Sequence, residues 1–358
     1  TAGPGELTVT GGGGYDYSED DRQGYQNFIG KTLGVKGALR RNETDKVTSL
    51  DPYLQGSWKM EKWTVQGGVR HSHVEFDVDD KYITGVNGDD SGNVSYDNTT
   101  PALAVAYELT PALNVYAAVA KGFETPTLNE LSYSSAGGGF NFNLKPATSR
   151  QFEVGAKAFV GGNTRVNAAV FQIHTDDELV VAGSVGGRTS YQNVGSTLRQ
   201  GLELEVDSEL ARDVRGRLAF TALRAIYDDS FVSGSGASAV TVSDGKRLPG
   251  VPAVNVFGEL MWNPMAGVGT AVETQYRGKV YVEDTNTRHV APSYTLVNLR
   301  LTAEQIQGPW QIKEMFRVDN LFDRQYVGSV IVGDSNQRYY ETGNGCSVYA
   351  GVSARYRF

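Results

Sequence analysis

The last twelve residues, "SVYAGVSARYRF" (347–358), alternate apolar with polar side chains at nearly every step. Val348, Ala350, Val352, Ala354, Tyr356 and Phe358 take one phase; Ser347, Tyr349, Gly351, Ser353, Arg355 and Arg357 take the other. A period of two is a β-strand whose faces meet different surroundings. The pattern recurs far from the terminus. Leu202, Leu204 and Val206 alternate with Gly201, Glu203 and Glu205, and Val297, Leu299 and Leu301 with Asn298, Arg300 and Thr302. Phe152, Val154, Ala156 and Ala158 do the same against Gln151, Glu153 and Lys157. A soluble sandwich also alternates, but seldom through so many segments without a break.

Segment length points to the medium. The alternation predicts about fourteen strands, each near or above the roughly 9–11 residues that cross a bilayer at a tilt. They fall at 6–17, 46–59, 62–76, 96–109, 112–123, 148–160, 163–175, 189–207, 213–227, 252–263, 267–281, 293–305, 309–323 and 345–358. Connections near 60–61, 110–111, 161–162, 208–212, 263–266 and 306–308 are short; those at 19–46, 77–95, 124–149, 228–251 and 325–343 are long. Short turns at one end and long loops at the other are the layout of a transmembrane β-barrel. Trp58, Trp63, Trp262 and Trp310 all sit on the apolar phase beside short turns. Indole favours the headgroup zone, so these four mark the periplasmic girdle, with Phe358 at the same level.

Composition agrees. No stretch approaches the roughly 18 unbroken apolar residues of a membrane helix, and mean hydropathy is −0.34. Barrel strands hide their apolar half from such an average. The 43 glycines and 19 tyrosines suit close strand packing and interfacial rings. A formal charge of −8 argues against a nucleic-acid partner. The single cysteine, Cys346, permits no internal disulfide. The start at Thr1 predicts a processed product or a fragment.

Five segments in order resemble the C-terminal part of TonB-dependent outer-membrane receptors. They are "AKGFETPTLNEL" (120–131), "LKPATSRQFEVGAK" (144–157), "YQNVGSTLRQGLELE" (191–205), "RLPGVPAVNVFGEL" (247–260) and "VDNLFDRQYVGS" (318–329), followed by the aromatic terminus. The resemblance implies an all-β, antiparallel barrel in the Gram-negative outer membrane, part of one with about 22 strands closed by a plug. It implies residues 1–358 as the C-terminal part of a single barrel, with the N-terminal plug domain absent. It further implies active transport of a scarce ligand, a ferric siderophore or a cofactor, driven through TonB acting on the plug. "GVKGALRR" and "TSLDPYLQ" are similar to a subgroup linked to pyrroloquinoline quinone. Other implied partners are the barrel-assembly machinery at the C-terminal strand, outer-membrane lipid and lipopolysaccharide, and phage or toxin. No cofactor of its own and no catalysis are expected. The alternatives are a self-contained 14-stranded passive channel and a surface for phage or toxin.

Candidate site residues come from two patterns. Lumen-phase charges include Arg70, Arg199, Arg215, Arg217, Arg277, Lys279 and Arg300, with Glu203, Glu205, Glu259 and Glu273. Most belong to a hydrated wall of mutual pairs. Arg70, Arg277 and Lys279, placed near outer strand ends, are expected to attract an anionic ligand. Aromatic loop residues Tyr133, Phe140, Phe142, Tyr281, Tyr339 and Tyr340 are expected to stack on a planar one. "HSH" (71–73) offers two imidazoles but no third metal ligand. "NGDDSGN" (87–93) imitates a calcium loop, yet Asn98 stands where a bidentate Glu is needed, and a solvated acidic loop is favoured. "GGGG" (11–14) is tight strand packing, without the helix of a phosphate-binding loop. His174 and His289 have no spacing that joins them to a nucleophile.

Overall fold

The alternating segments pair as the periodicity requires. The computed structural model describes residues 5–85, 87–134, 139–185, 188–234, 239–334 and 337–358, so the Thr1 start lies outside the described residues. Among these, fourteen antiparallel strands form one sheet, each bonded to its neighbour in chain order, with the first and last as edges. They are β1 (Glu6–Tyr25), β2 (Leu39–Met60), β3 (Trp63–Asp80), β4 (Gly92–Thr110), β5 (Leu113–Glu124), β6 (Ala147–Val160) and β7 (Thr164–Asp176). Then follow β8 (Ser196–Ala211), β9 (Val214–Tyr227), β10 (Val254–Met265), β11 (Val268–Arg277), β12 (Tyr294–Gln307), β13 (Trp310–Asp319) and β14 (Ser347–Tyr356). Tight turns alternate with long loops along the whole sheet. The turns need left-handed backbone, supplied at Glu61 (φ 51°), Asp213 (φ 69°) and Gly267 (φ 78°).

Several boundaries differ from the sequence expectation, for physical reasons. β1, β2 and β3 run well past 17, 46 and 76 at their loop ends. Above the membrane the outer face no longer meets hydrocarbon, so the ladder continues while the apolar alternation stops. Residues 189–207 are not one strand. Arg188–Asn193 pairs instead with Leu179–Val185 in a loop hairpin, and β8 starts at Ser196. β11 ends at Arg277, and Val280–Tyr281 pairs with Val290–Ala291 in the loop. β13 ends at Asp319 because Asn320 turns left-handed (φ 50°), and its side-chain amide donates to the Arg324 carbonyl.

The faces of the sheet are inverted relative to a soluble protein. On β10 and β11 the buried side chains include Glu259 and Glu273, while Leu260 (52% exposed) and Val272 (48%) face outward. Leu7, Val9, Leu103, Val119, Phe152, Val170, Val348 and Val352 are likewise exposed. An apolar outer band over a polar interior is stable only where hydrocarbon replaces water. Exposed Trp63, Trp262 and Trp310 stand beside tight turns. Trp63 packs on Tyr107 (centroids 4.5 Å), Trp310 on Tyr356 (5.0 Å), and Tyr356 on Phe358 (5.2 Å).

Apolar burial concentrates at the loop end, in two clusters. One joins Phe76 and Tyr96 to Leu131 and Leu144 of loop 125–146, with Leu179 and Tyr191 packed against it. The other joins Val194, Ala225, Tyr227, Val242 and Leu248, with Val180 against it. The hairpin of residues 179–193 therefore sends Leu179 to one cluster and its neighbour Val180 to the other.

Candidate ligand-binding site

Loop 125–146 is shaped by its own sequence. Thr127 caps a single helical turn, Leu128–Leu131: its side chain accepts from the Glu130 amide while Glu130 accepts from the Thr127 amide. Leu131 is fully buried, and Tyr96 donates to the Leu144 carbonyl at 2.7 Å. The loop is thus tied down at both ends of its aromatic stretch. Within it Phe140 and Phe142 stack, with centroids 5.6 Å apart and planes at 12°. Phe142 lies on the backbone of Gly92, where an added Cβ would come within 2.6 Å of the ring.

The barrel wall reaches this loop through Arg41 of β2. Its guanidinium lies 4.8 Å from the Tyr133 ring centroid and 5.9 Å from that of Phe140, and donates to the Ser132 carbonyl at 3.4 Å. Arg41 also faces Glu43 at 3.3 Å, and Arg22 faces Glu43 at 3.4 Å and Asp45 at 3.0 Å. About 9–11 residues from the tight turn cross the bilayer, so Glu43, far up β2 from Met60, stands above it. Its carboxyl is buried, and Oε1 has the two ion-pair contacts but no well-aligned hydrogen bond. Burial pushes its pKa up to about 7 against the pull of Arg41, and the nearby Asp45 pushes the same way.

Loops 278–293 and 320–346 meet through His289 and Tyr339, and a separate cation–ring pair lies in the first of them. Lys279 lies over the Tyr281 ring (5.2 Å), and Tyr281 pairs through the backbone with Val290. The adjacent His289 contacts the Glu283 carboxylate and packs on Tyr339 (4.6 Å), which meets Tyr340 edge-on (6.3 Å). In the same loop as His289, Asp284 accepts from Tyr227 at 2.7 Å and Ser233 at 3.0 Å, and its burial raises its pKa.

The nine expected residues therefore divide. Tyr133, Phe140 and Phe142 gather in loop 125–146 beside Arg41, Lys279 lies over Tyr281, and Tyr339 and Tyr340 pack with His289. Arg277 ends β11 on the lumen face, half-buried. Arg70 is not near an outer strand end. β3 continues to Asp80, leaving Arg70 within the barrel wall, paired to the buried Asp51 at 3.0 Å. Several other lumen charges form a ladder across β7 to β13. It runs Arg165–Asp207 (3.6 Å), Asp207–Arg217 (3.5 Å), Arg217–Glu259 (3.6 Å), Glu259–Arg300 (2.6 Å), Arg300–Glu273 (3.1 Å) and Glu273–Arg317 (2.7 Å).

Three features escaped the sequence reading. Arg22, Arg41, Glu43 and Asp45 were assigned to a loop, although the alternation of charge in "RRNETD" (40–45) was a visible strand signal. Arg199 pairs with Glu178 at 2.8 Å beside a cavity of about 370 Å³ lined by Ser149, Gln151 and Thr175. His289 gains partners from 283 and 339 that no short spacing reveals. His71 and His73 face outward and share Asp97, at 3.8 and 2.7 Å. In the 87–93 loop Asp89 accepts from the Ser91 amide, so its carboxylate is turned on its own backbone.

With this geometry in hand, likeness to known proteins becomes informative. The family model described as TonB dependent receptor-like, beta-barrel matches residues 1–321. Over 192 residues the chain is 29% identical to the ferrioxamine receptor of Yersinia enterocolitica, covering 52% of this chain and 25% of that protein. Over 296 residues it is 25% identical to the vitamin B12 transporter BtuB of Photobacterium profundum, covering 81% of this chain and 42% of that one. The solved structure of the siderophore receptor PiuA from Acinetobacter baumannii superposes with a TM-score of 0.80 at 19% identity, over 98% of this chain and 53% of that one. At that identity the structural likeness is one of fold. The chain spans less than half the length of these two curated relatives.

Proposed function

The chain belongs to the TonB-dependent receptor-like β-barrel family, and from that premise we propose that it forms the ligand-catching wall and loops of an outer-membrane active transporter. The protein is an outer-membrane β-barrel. Its proposed cargo is a scarce, oxygen-rich or aromatic chelate: a ferric siderophore, or a cofactor such as pyrroloquinoline quinone. The observation that carries the proposal is the meeting of aromatic and basic side chains in the loops, Arg41 with Tyr133 and Phe140, and Lys279 with Tyr281. Aromatic faces stack on planar ligands, and guanidinium and ammonium groups attract anionic oxygens. Binding at the loops would be followed by inward release when a plug domain, coupled to TonB, is displaced. No bond is made or broken in this scheme. The two curated relatives named above, a ferrioxamine receptor and a vitamin B12 transporter, support this reading.

The test is uptake by cells expressing the full-length protein in a strain lacking it, offered radiolabelled ferric chelates, cobalamin and pyrroloquinoline quinone separately. One ligand should accumulate saturably and stop when the proton gradient is collapsed. Entry of all of them, linear in concentration and indifferent to the gradient, would mean a passive channel and end this reading.

A further inference from the structure

Arg41 is shared between a buried carboxyl and the aromatic loop. On one side it faces Glu43, which is 4% exposed and has Arg22 of β1 and Asp80 of β3 as register partners. Glu43 Oε1 lies 3.3 Å from Arg41 and 3.4 Å from Arg22, yet accepts no well-aligned hydrogen bond. Asp45, only 1% exposed, does accept one, from Arg22 at 3.0 Å. Asp45 therefore holds the better share of Arg22, and Glu43 depends on Arg41.

The loop claims Arg41 from the other side. Its guanidinium donates to the Ser132 carbonyl and lies 4.8 and 5.9 Å from the ring centroids of Tyr133 and Phe140. Arg22 also reaches the Ser132 hydroxyl, at 3.4 Å. Two arginines and two carboxylates thus form one group whose formal charges cancel. A proton on Glu43 leaves the group with one positive charge in excess, next to the arginine that touches the rings.

The surrounding charges favour that proton. Asp80 faces Glu43 from β3, Asp20 opposes Asp45 from β1, and Asp90 acts on Asp80 and Arg41 from the loop after β3. Lys81 and Asp21 lie 3.7 Å apart around Thr44, on the other face of β2. From loop 125–146 the arginines meet Ser132, Tyr133 and Phe140, none of which carries a charge. Burial, helped by Asp45 and Asp80, pushes the Glu43 carboxyl up to about 7. The coupling then has one sign. An anion held against Arg41 competes with an ionised Glu43 but not with a protonated one, so anion and proton favour each other's binding.

Resting on the cargo class argued above, we propose that capture of an anionic ligand at Arg41, Tyr133 and Phe140 is coupled to uptake of one proton by Glu43. Such a receptor loads better in mildly acidic surroundings than in alkaline ones.

The test uses the full-length protein purified from outer membranes in detergent, with pyrroloquinoline quinone, a planar tricarboxylate, as the anionic probe. Affinity is measured by calorimetry at about pH 6 and about pH 8, both above the ordinary carboxylate range. With a Glu43 pKa of about 7, roughly nine-tenths of the protein carries the proton at the lower pH and roughly a tenth at the higher. The Kd should therefore be about tenfold tighter at the lower pH. At the higher pH, buffers of different ionisation heat should report close to one proton taken up per probe bound. Glu43→Gln, neutral throughout, should bind at both pH values as the wild type does at the lower one, without proton uptake. Should that variant not fold, Arg41→Gln keeps Glu43 and must lose the preference for acid. Equal wild-type affinity at both pH values, or a preference that survives in Glu43→Gln, overturns the coupling and leaves the cargo class standing. Binding at neither pH is a different failure: it removes pyrroloquinoline quinone as cargo and takes this inference with it.

Discussion

The Arg41 guanidinium, carried on strand β2, lies 4.8 Å from the centroid of the Tyr133 ring, carried on the loop between β5 and β6. The contact crosses from one part of the barrel wall to a loop rooted three strands away. It makes the position of a half-buried loop aromatic depend on a charged residue that sequence analysis assigns to a different loop. The dependence can be tested.

Arg41→Ala should free the loop while leaving the barrel intact. It removes the contacts to Tyr133 and Phe140 and the bond to the Ser132 carbonyl, together worth about 1–2 kcal/mol. Hydrogen exchange in 128–142 should quicken roughly tenfold, with exchange in β10–β13 unchanged. Unchanged loop exchange would show that the buried Leu131 and Leu144 hold the loop without Arg41.

Glu43 should make stability at the loop end depend on pH. Its folded pKa of about 7 lies above the ordinary value of 4.5. A raised carboxyl pKa means that the folded state binds the proton more tightly. Its contribution is therefore complete below pH 4.5 and lost as pH rises through 7, and is at most ~3 kcal/mol. Glu43→Gln should flatten that part of the melting profile between these pH values. A profile identical to wild type would mean that another group carries the effect.

Arg300 is expected to be the costliest single residue in the lumen ladder. It pairs with Glu259 at 2.6 Å and with Glu273 at 3.1 Å, both buried. Removing one partner of a buried pair costs about 3–5 kcal/mol, so Arg300→Ala should lower the temperature at which the barrel loses its folded gel mobility. Arg212→Ala, at an exposed tight turn, should leave it unmoved.

Tyr227→Phe should disturb the apolar cluster of Val194, Ala225, Val242 and Leu248 and the Asp284 bond beside it. Asp284 would lose its 2.7 Å donor and keep only Ser233. An under-bonded buried acceptor costs about 1–3 kcal/mol. Proteolysis at 239–250 should accelerate, while the outer band of the barrel, which makes no use of this bond, stays protected.

Much of the barrel was legible in the chain itself. Inside a bilayer the two faces of a strand meet hydrocarbon and water, and Val348, Ala350, Val352 and Ala354 write that difference into the order of residues. Turn positions, girdle tryptophans and strand order follow from it, because adjacent segments in an antiparallel barrel pair in sequence. The periodicity fails where the medium stops imposing it. β2 continues upward through Arg41, Glu43 and Asp45, where hydrocarbon no longer meets its outer face, and only the backbone ladder reveals that it does. The site was hidden for a related reason. Stacking of Phe140 on Phe142 follows from two residues near each other in one loop. The meeting of Arg41 with Tyr133, or of His289 with Tyr339, depends on how far each strand rises and how each loop folds back. Local alternation determined the wall; only long-range packing at its outer end decided which side chains meet there.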